Sequence, residues 1–162
     1  YLEDYSLLNK QTIAAHGNQT TASERQLLTQ RDVALVHCPR SNQALGHQSL
    51  SPDGFDGRFG LGTDGSLSTS TLDIRDEARA AMALNSWSAE HTVKLMTQGG
   101  ADVMGLGNII GSLAPGKSAD FTLWSIQDPS QKPYELGLHS TTTWRQSIVA
   151  GKETKVCANV KK

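Results

Sequence analysis

The chain lacks the features that mark secreted, membrane or nucleic-acid-binding proteins. Its 162 residues include only two cysteines, Cys38 and Cys157, which lie too far apart to indicate a disulfide framework. No apolar run approaches the roughly 20 residues that span a bilayer, and no signal peptide is recognisable. A formal net charge of -1 offers no positive surface for nucleic acid or an anionic membrane. We therefore expect a cytoplasmic protein without nucleic-acid or membrane partners.

Short apolar stretches alternate with helical patterns up to about residue 108. The predicted elements are a strand before His16, a helix from the Thr21–Glu24 capping box to near Arg31, a strand at Val33–Val36, a polar turn at Pro39–Asn42, a strand at Phe59–Gly62, and helices at Leu72–Asn85 and Ala89–Gln98. Strands and helices that alternate at this spacing predict βαβ units and a parallel sheet.

From Ile109 onward the pattern changes to short strands. We predict strands at Ile109–Ile110, Asp120–Ser125 and Thr142–Ala150, a hairpin turn at Gly151-Lys152, and a surface connection over residues 127–141. The sequence thus predicts two parts, an α/β part over residues 1–108 and the strands of a small sheet or β-sandwich over residues 109–162.

Chemically capable side chains stand where three predicted strands end. His16 and His37 close the first two strands, and Asp64 follows the third within Gly62-Thr-Asp-Gly65. The carboxyl ends of parallel strands meet at one edge of a sheet, where β/α barrels carry their reacting groups. Two histidines and an aspartate so placed predict a metal hydrolase site.

Two nucleotide-binding patterns occur in contexts that argue against them. Residues 111–118 fit the phosphate-loop pattern, but a strand is predicted after Lys117 where the phosphate loop needs a helix. Residues 60–65 fit the dinucleotide fingerprint, yet Asp64 would repel a pyrophosphate and no helix is predicted there. We predict no nucleotide site at either position.

The chain resembles the amidohydrolase superfamily, in its aminohydrolase branch of adenosine-type, cytosine and guanine deaminases and triazine hydrolases. The resemblance rests on His16, His37-Cys-Pro-Arg-Ser-Asn42, Gly62-Thr-Asp-Gly65, Gly99-Gly-Ala101 and the Gly-Ser-Leu-x-Pro-Gly-Lys-x-Ala-Asp segment at Gly111–Asp120. It implies the C-terminal part of a (β/α)8 TIM-like barrel, the sixth to eighth strands, followed by a small β-sandwich.

The resemblance also implies roles for individual residues. Asp64 would bind a divalent metal, zinc with iron as the alternative, and take a proton from its water. His16 would orient the metal-bound hydroxide that attacks an amino-bearing ring carbon, releasing ammonia. His37 and Arg40 would contact the substrate or support the loop. We set Cys38 aside as a nucleophile because it follows His37 and should point to the opposite side of the strand.

Two family motifs that supply further metal ligands, His-x-His and His-x-x-Glu, do not occur in this sequence. A catalytic zinc usually takes three protein ligands, and a full barrel needs about 250 residues. We therefore expect an incomplete C-terminal portion, inactive alone, that binds metal only with amino-terminal ligands and associates as a homo-oligomer or with a complementary chain.

Three functions remain open at this point. The first is hydrolysis of carbon–nitrogen bonds other than peptide bonds, with deamination of an aminopurine or other small aminoheterocycle. The second is dechlorination or deamination of triazine-like rings. The third is a non-catalytic scaffold, against which the retention of His16, His37 and Asp64 argues, since a scaffold needs no ionisable side chains at strand ends.

Overall fold

A parallel three-stranded sheet organises the first part of the chain. The computed structural model describes residues 1–128, 130 and 132–154. Strands β1 (Ile13–Ala15), β2 (Ala34–His37) and β3 (Phe59–Leu61) pair in the order β1-β2-β3, and both pairs are parallel. The predicted parallel strands are confirmed within one residue or so at each end. Their carboxyl ends meet at one edge of the sheet.

Helix α1 (Ala22–Gln30) provides the crossover between β1 and β2. Its first turn is closed by the predicted capping box. The Glu24 amide donates to the Thr21 hydroxyl at 3.2 Å, and the Thr21 amide donates to the Glu24 carboxylate at 2.7 Å. The helix ends at Arg31, where the sequence predicts its end.

The predicted polar turn after β2 is wrong, because residues Pro39–Ala44 form a short helix, α2. Proline is tolerated in a first turn because its missing amide would have no helical partner there. Cys38 precedes the helix without a side-chain cap. Instead, Glu77 from a distant part of the chain accepts the Arg40 amide at 3.0 Å. This contact spans 37 residues, so local sequence does not reveal it.

The two predicted helices after β3 are present, with different bounds. Helix α3 is Ile74–Asn85 and α4 is Ala89–Lys94, followed by a π-helical turn at Leu95–Gly99 and by α5 at Gly100–Val103. Asp73 caps α3 by accepting the Arg75 amide, so the helix begins two residues after the predicted Leu72. A Cβ atom at Gly99 would lie 2.4 Å from the Phe59 carbonyl oxygen, so glycine permits this close packing against β3.

An antiparallel sheet follows in the second part of the chain. Strands β4 (Phe121–Ser125), β5 (Thr143–Val149) and β6 (Lys152–Glu153) pair in the order β4-β5-β6. The two longer strands and the Gly151 hairpin confirm the predictions for this region. Cys157, in the predicted sandwich range, lies outside the described residues.

Two predictions in this part are wrong. Ile109 and Ile110 form no strand, because both of their amides donate to the Leu106 carbonyl and close a turn. The predicted connection at 127–141 contains helix α6 (Pro133–Leu138), whose Leu138 is 3% exposed. This helix is short and lies among polar residues, so the sequence pattern does not predict it. Packing of Leu138 into the core stabilises it.

The helices and β3 share one hydrophobic core. Leu61 packs with Ala78, Ala81, Leu95 and Leu138, and Phe59 meets the Trp87 ring edge-on at 6.1 Å between centroids. These contacts place α3 and the π-helical turn against β3, while α4 and α6 pack against each other and against α3. Across the part of the chain that the structure describes, no helix has both the length and the apolar character needed to cross a membrane.

Arg75 joins the first part of the chain to the antiparallel sheet. Its guanidinium lies 3.5 Å from the centroid of the Trp124 ring and donates to Thr142 Oγ1 at 2.7 Å. On the other side it forms an ion pair with Asp73 at 2.7 Å. One side chain therefore binds the start of α3 to β4 and to the residue that precedes β5.

The phosphate-loop pattern has a structural explanation. Lys117 Nζ donates to Gln98 Oε1 at 2.8 Å, to Ser112 Oγ at 2.9 Å and to the Gly107 carbonyl at 2.5 Å. The ammonium is thus used to fasten the surrounding loop, and the next regular element is a strand. The strand predicted after Lys117 is present as β4.

Candidate active site

Asp64 lies just beyond β3 at the carboxyl edge of the parallel sheet. Its backbone has a φ of 56°, a left-handed conformation that few residues other than glycine adopt. Ser41 Oγ donates to Asp64 Oδ2 at 2.5 Å, and Ser68 Oγ lies 3.5 Å from the same oxygen. The Ser41 hydrogen bond is the main cause that lowers the pKa of the Asp64 carboxyl. Asp64 is therefore a carboxylate at neutral pH, the form that binds metal.

His16 follows β1 and faces Asp64. Its backbone is also left-handed, with a φ of 68°. Its Nε2 atom lies 3.8 Å from Asp64 Oδ2, and its Nδ1 atom lies 2.9 Å from Asn42 Oδ1. The His16 and Asp64 side chains are 36% and 37% exposed, so both can reach a molecule at this edge. The structure therefore brings together the two residues that the sequence singles out for catalysis.

Ser41 and Asn42 are site residues whose roles the sequence reasoning missed. Both lie on α2, and they are 0% and 1% exposed. The sequence signal was present, because both belong to the His37–Asn42 segment that carries the family resemblance. Interpreting that segment as a polar turn concealed which way its side chains point.

His37 is placed differently from His16. It is 0% exposed, and both of its ring nitrogens are buried without a hydrogen-bond partner among the described residues. Burial, followed by the charge of nearby His16, lowers the pKa of His37 from 6.5 to about 4. Its burial is more compatible with supporting the loop than with touching a substrate, and its substrate-binding role stays a prediction.

Arg40 is directed toward α3. Its guanidinium donates to Thr71 Oγ1 at 3.1 Å and lies 3.4 Å from Glu77 Oε1 and 3.5 Å from Asp76 Oδ2. Glu77 is fully buried, and burial raises the pKa of its carboxyl while Arg40 opposes that rise. Arg40 thus fastens α2 to α3, which favours its loop-supporting alternative, and its contact with substrate stays a prediction.

Cys38 does not have the environment of a nucleophile. The side chain is 3% exposed, and burial together with the Asp64 and Glu77 carboxylates raises the pKa of its thiol to about 11. At neutral pH the sulfur carries its proton and is unreactive. These properties argue against Cys38 as a nucleophile, as its position after His37 predicts.

The donors at this edge fit part of a metal site. Asp64 presents an ionised carboxylate, and His16 presents an imidazole within 3.8 Å of it. Within residues 1–128, 130 and 132–154, no group of three or more histidine, cysteine or acidic side chains is arranged to hold a metal ion. Because catalytic zinc usually takes three protein ligands, these residues can supply a share of the coordination.

The architecture and the site define a class of protein. Parallel strands joined by helices, with reactive side chains at the carboxyl edge, are typical of β/α-barrel proteins. The profile of the amidohydrolase family matches residues 1–159, and the chain belongs to that family. Its fold is therefore α/β of the TIM-barrel type.

Similar proteins include named deaminases. The chain is 34% identical over 146 residues to a 5-methylthioadenosine/S-adenosylhomocysteine deaminase of Halobacterium salinarum, covering 82% of this chain and 33% of the relative. The chain thus spans about a third of the length of the curated relatives it matches.

Solved structures give the same fold. An adenosine deaminase from Xanthomonas campestris with bound zinc superposes with a TM-score of 0.81 at 30% identity, covering 94% of this chain and 38% of that protein. A zinc-complexed atrazine chlorohydrolase from Arthrobacter aurescens also gives 0.81, at 21% identity and with the same two coverages. Because its sequence identity is low, the similarity to the chlorohydrolase concerns the fold alone.

Proposed function

We propose that this chain is the C-terminal part of a metal-dependent hydrolase that deaminates an aminopurine or a related small aminoheterocycle. The observation that carries the proposal is the ionised Asp64 carboxylate held beside His16 at the carboxyl edge of the sheet, 3.8 Å away. The deaminase relatives support the substrate class. In this proposal β1 to β3 are the sixth to eighth strands of a barrel, residues 1–108 belong to that barrel, and residues 109–162 contribute sandwich strands.

Each site residue has a chemical task in this reaction. Asp64 would hold a divalent metal, zinc with iron as the alternative, and accept a proton from the attacking water. His16 would hydrogen bond that water through Nε2 and direct it at the ring carbon that bears the amino group. When bound, the metal lowers the pKa of a coordinated water from 15.7 to about 7. The ring carbon gains a carbonyl oxygen, and its nitrogen leaves as ammonia.

The remaining metal ligands would come from residues outside this sequence. Asp64 is a single metal ligand, which is an incomplete set by the three-ligand rule for catalytic zinc. We infer that the chain is inactive alone and works within a longer protein or with a complementary chain. Dechlorination of a triazine is the alternative reaction, but the fold likeness to the chlorohydrolase does not favour it over deamination.

The first experiment is the intact mass of the protein from its natural source. The protein at that mass, which we call the native-length protein, is then assayed for ammonia release from adenosine and 5′-methylthioadenosine and for chloride release from atrazine. Ammonia release with bound metal is the expected result. If the native-length protein contains no metal and releases neither ammonia nor chloride, the non-catalytic scaffold is the function that remains.

Replacing Asp64 by asparagine tests its assignment. Asp64→Asn removes the negative charge and the proton acceptor while keeping the side-chain shape, so we expect loss of turnover and weaker metal binding with an intact fold. Asp53→Asn is a matched control, because Asp53 also accepts a serine hydroxyl, that of Ser51 at 2.8 Å, in an exposed loop. Unchanged turnover in Asp64→Asn refutes the assignment.

A further inference from the structure

Helix α2 presents two consecutive buried side chains to the two site residues. Ser41 Oγ donates to Asp64 Oδ2 at 2.5 Å, and Asn42 Oδ1 lies 2.9 Å from His16 Nδ1. The side chains of Ser41 and Asn42 are both no more than 1% exposed. Both contacts link residues more than 20 positions apart, with separations of 23 and 26 residues. The fold therefore places these side chains against the site.

The helix that carries these side chains is itself fixed. The Arg40 amide donates to Glu77 Oε2 at 3.0 Å, and the Arg40 guanidinium reaches Thr71, Asp76 and Glu77 on and before α3. A buried carboxylate thus satisfies the amide at the start of α2, which lacks a side-chain cap of its own. Movement of Ser41 and Asn42 relative to α3 is restricted by these bonds.

The two site residues that Ser41 and Asn42 contact have unfavourable backbone conformations. His16 and Asp64 have φ angles of 68° and 56°. A non-glycine residue held in this region costs on the order of 1–3 kcal/mol, and it persists where surrounding contacts determine it. The hydrogen bonds from α2 are contacts of that kind.

We propose that Ser41 and Asn42 are positioning residues, with Ser41 orienting the Asp64 carboxylate for metal binding and Asn42 selecting the protonated nitrogen of His16. The proposal deepens the function proposed above and rests on it. The carboxamide oxygen of Asn42 only accepts hydrogen bonds, so His16 Nδ1 carries the hydrogen in the neutral ring. Nε2 then keeps its lone pair on the side of Asp64, where it can accept a hydrogen bond from the attacking water.

The test of Asn42 is the tautomer of His16 in the metal-loaded native-length protein. Histidine is labelled with heavy nitrogen, the His16 signals are assigned with His16→Gln, and long-range proton–nitrogen correlations identify the protonated atom. We expect hydrogen on Nδ1 in the unmodified protein and in Asn42→Asp, which keeps an accepting oxygen. In Asn42→Leu and Asn42→Ala we expect a mixture of tautomers.

Kinetics provides the second readout for Asn42. Loss of positioning lowers kcat by about 10- to 100-fold, with a smaller change in KM, in Asn42→Leu and Asn42→Ala, and Asn42→Asp recovers part of the loss. Asn85→Leu is the matched control, because Asn85 hydrogen bonds the Ala81 carbonyl at 3.0 Å within α3. The assignment is overturned if His16 keeps a single Nδ1–H tautomer in both variants that lack the acceptor.

The test of Ser41 is metal affinity. Ser41→Ala is expected to weaken zinc binding by about 10- to 100-fold, measured by competition with a chromophoric chelator. Thr92→Val is the control, since Thr92 is an equally buried hydroxyl that donates to the Ser88 carbonyl at 2.9 Å. An affinity equal to that of the unmodified protein overturns the role of Ser41.

These readouts separate the inference from the proposed function. A protein that releases no ammonia yet shows the tautomer change in Asn42→Leu supports the positioning role and contradicts the deaminase. A protein that deaminates with unchanged tautomer and unchanged metal affinity in all variants supports the deaminase and overturns the positioning role.

Discussion

Neutral His37 is a buried ionisable group with a direct effect on stability. It lies at the end of β2 with no exposed surface, and burial lowers the pKa of its imidazole from 6.5 to about 4. An unfolded chain exposes the same ring to water, where it titrates near its ordinary value. The folded and unfolded states therefore bind different numbers of protons in mildly acidic solution.

We predict that the free energy of unfolding falls as the pH is lowered from about 6.5 to about 4. In that range the unfolded state binds a proton at His37 that the folded state does not. The full loss from this residue is about 3 kcal/mol, and below about pH 4 it contributes no further decrease. Urea unfolding of the native-length protein as a function of pH measures it.

His37→Gln should remove this component of the pH dependence. His47→Gln is the control, because His47 is exposed and its replacement changes the number of histidines equally. A pH profile that is the same in His37→Gln and in the unmodified protein would contradict the prediction.

At the scale of elements, α2 shows how a short helix is stabilised from elsewhere. Its six residues are too few to be stable alone, and its amino terminus is capped by Glu77 of α3. Glu77 in turn is buried and paired with Arg40, which is 22% exposed. The stability of α2 and the position of α3 are therefore coupled.

We predict that Glu77→Ala destabilises the protein by about 2–4 kcal/mol, because it removes the helix cap and leaves Arg40 with a weaker partner. Glu77→Gln should cost less, since its carbonyl oxygen can still accept the Arg40 amide. Glu90→Ala is the control, where loss of the exposed pair with Lys94 costs at most about 1 kcal/mol. Denaturant midpoints measure all three, and equal effects of Glu77→Ala and Glu90→Ala would exclude the coupling.

The same contact shows what the sequence could predict. The capping box at Thr21–Glu24 and the strands that precede His16 and Asp64 follow from local patterns, so the sequence predicts them. The Glu77 cap and the bonds of Ser41 and Asn42 join residues 23 to 37 positions apart. Side chains brought together over such distances depend on the whole fold, so α2 and its contacts were missed.

For the whole molecule, the unpaired edge of β1 is the main consequence of the sheet order. Within the described residues β1 pairs with β2 alone, and Ile13 on β1 is 46% exposed. Tyr1, Leu2, Tyr5 and Leu7 are further exposed apolar side chains near the start of the chain. An open strand edge with apolar neighbours favours pairing with another chain.

We predict that the 162-residue chain alone binds no stoichiometric zinc tightly and forms concentration-dependent oligomers. Ile13→Lys should reduce this association by placing a charge at the edge. Leu67→Lys is the control, because it places the same charge at a fully exposed aliphatic side chain outside the strands. Light scattering after size exclusion and calorimetric zinc titration measure the two properties. Tight binding of one zinc per chain would show that the ligand set is complete here.

The adjacency of Ser41 and Asn42 on one helix has a consequence for thermal motion. A displacement of α2 carries both side chains together, so it moves Asp64 and His16 in the same direction. We therefore expect fluctuations of the helix to be correlated at the two site residues, so that the spacing between the carboxylate and the imidazole varies less than the position of either group.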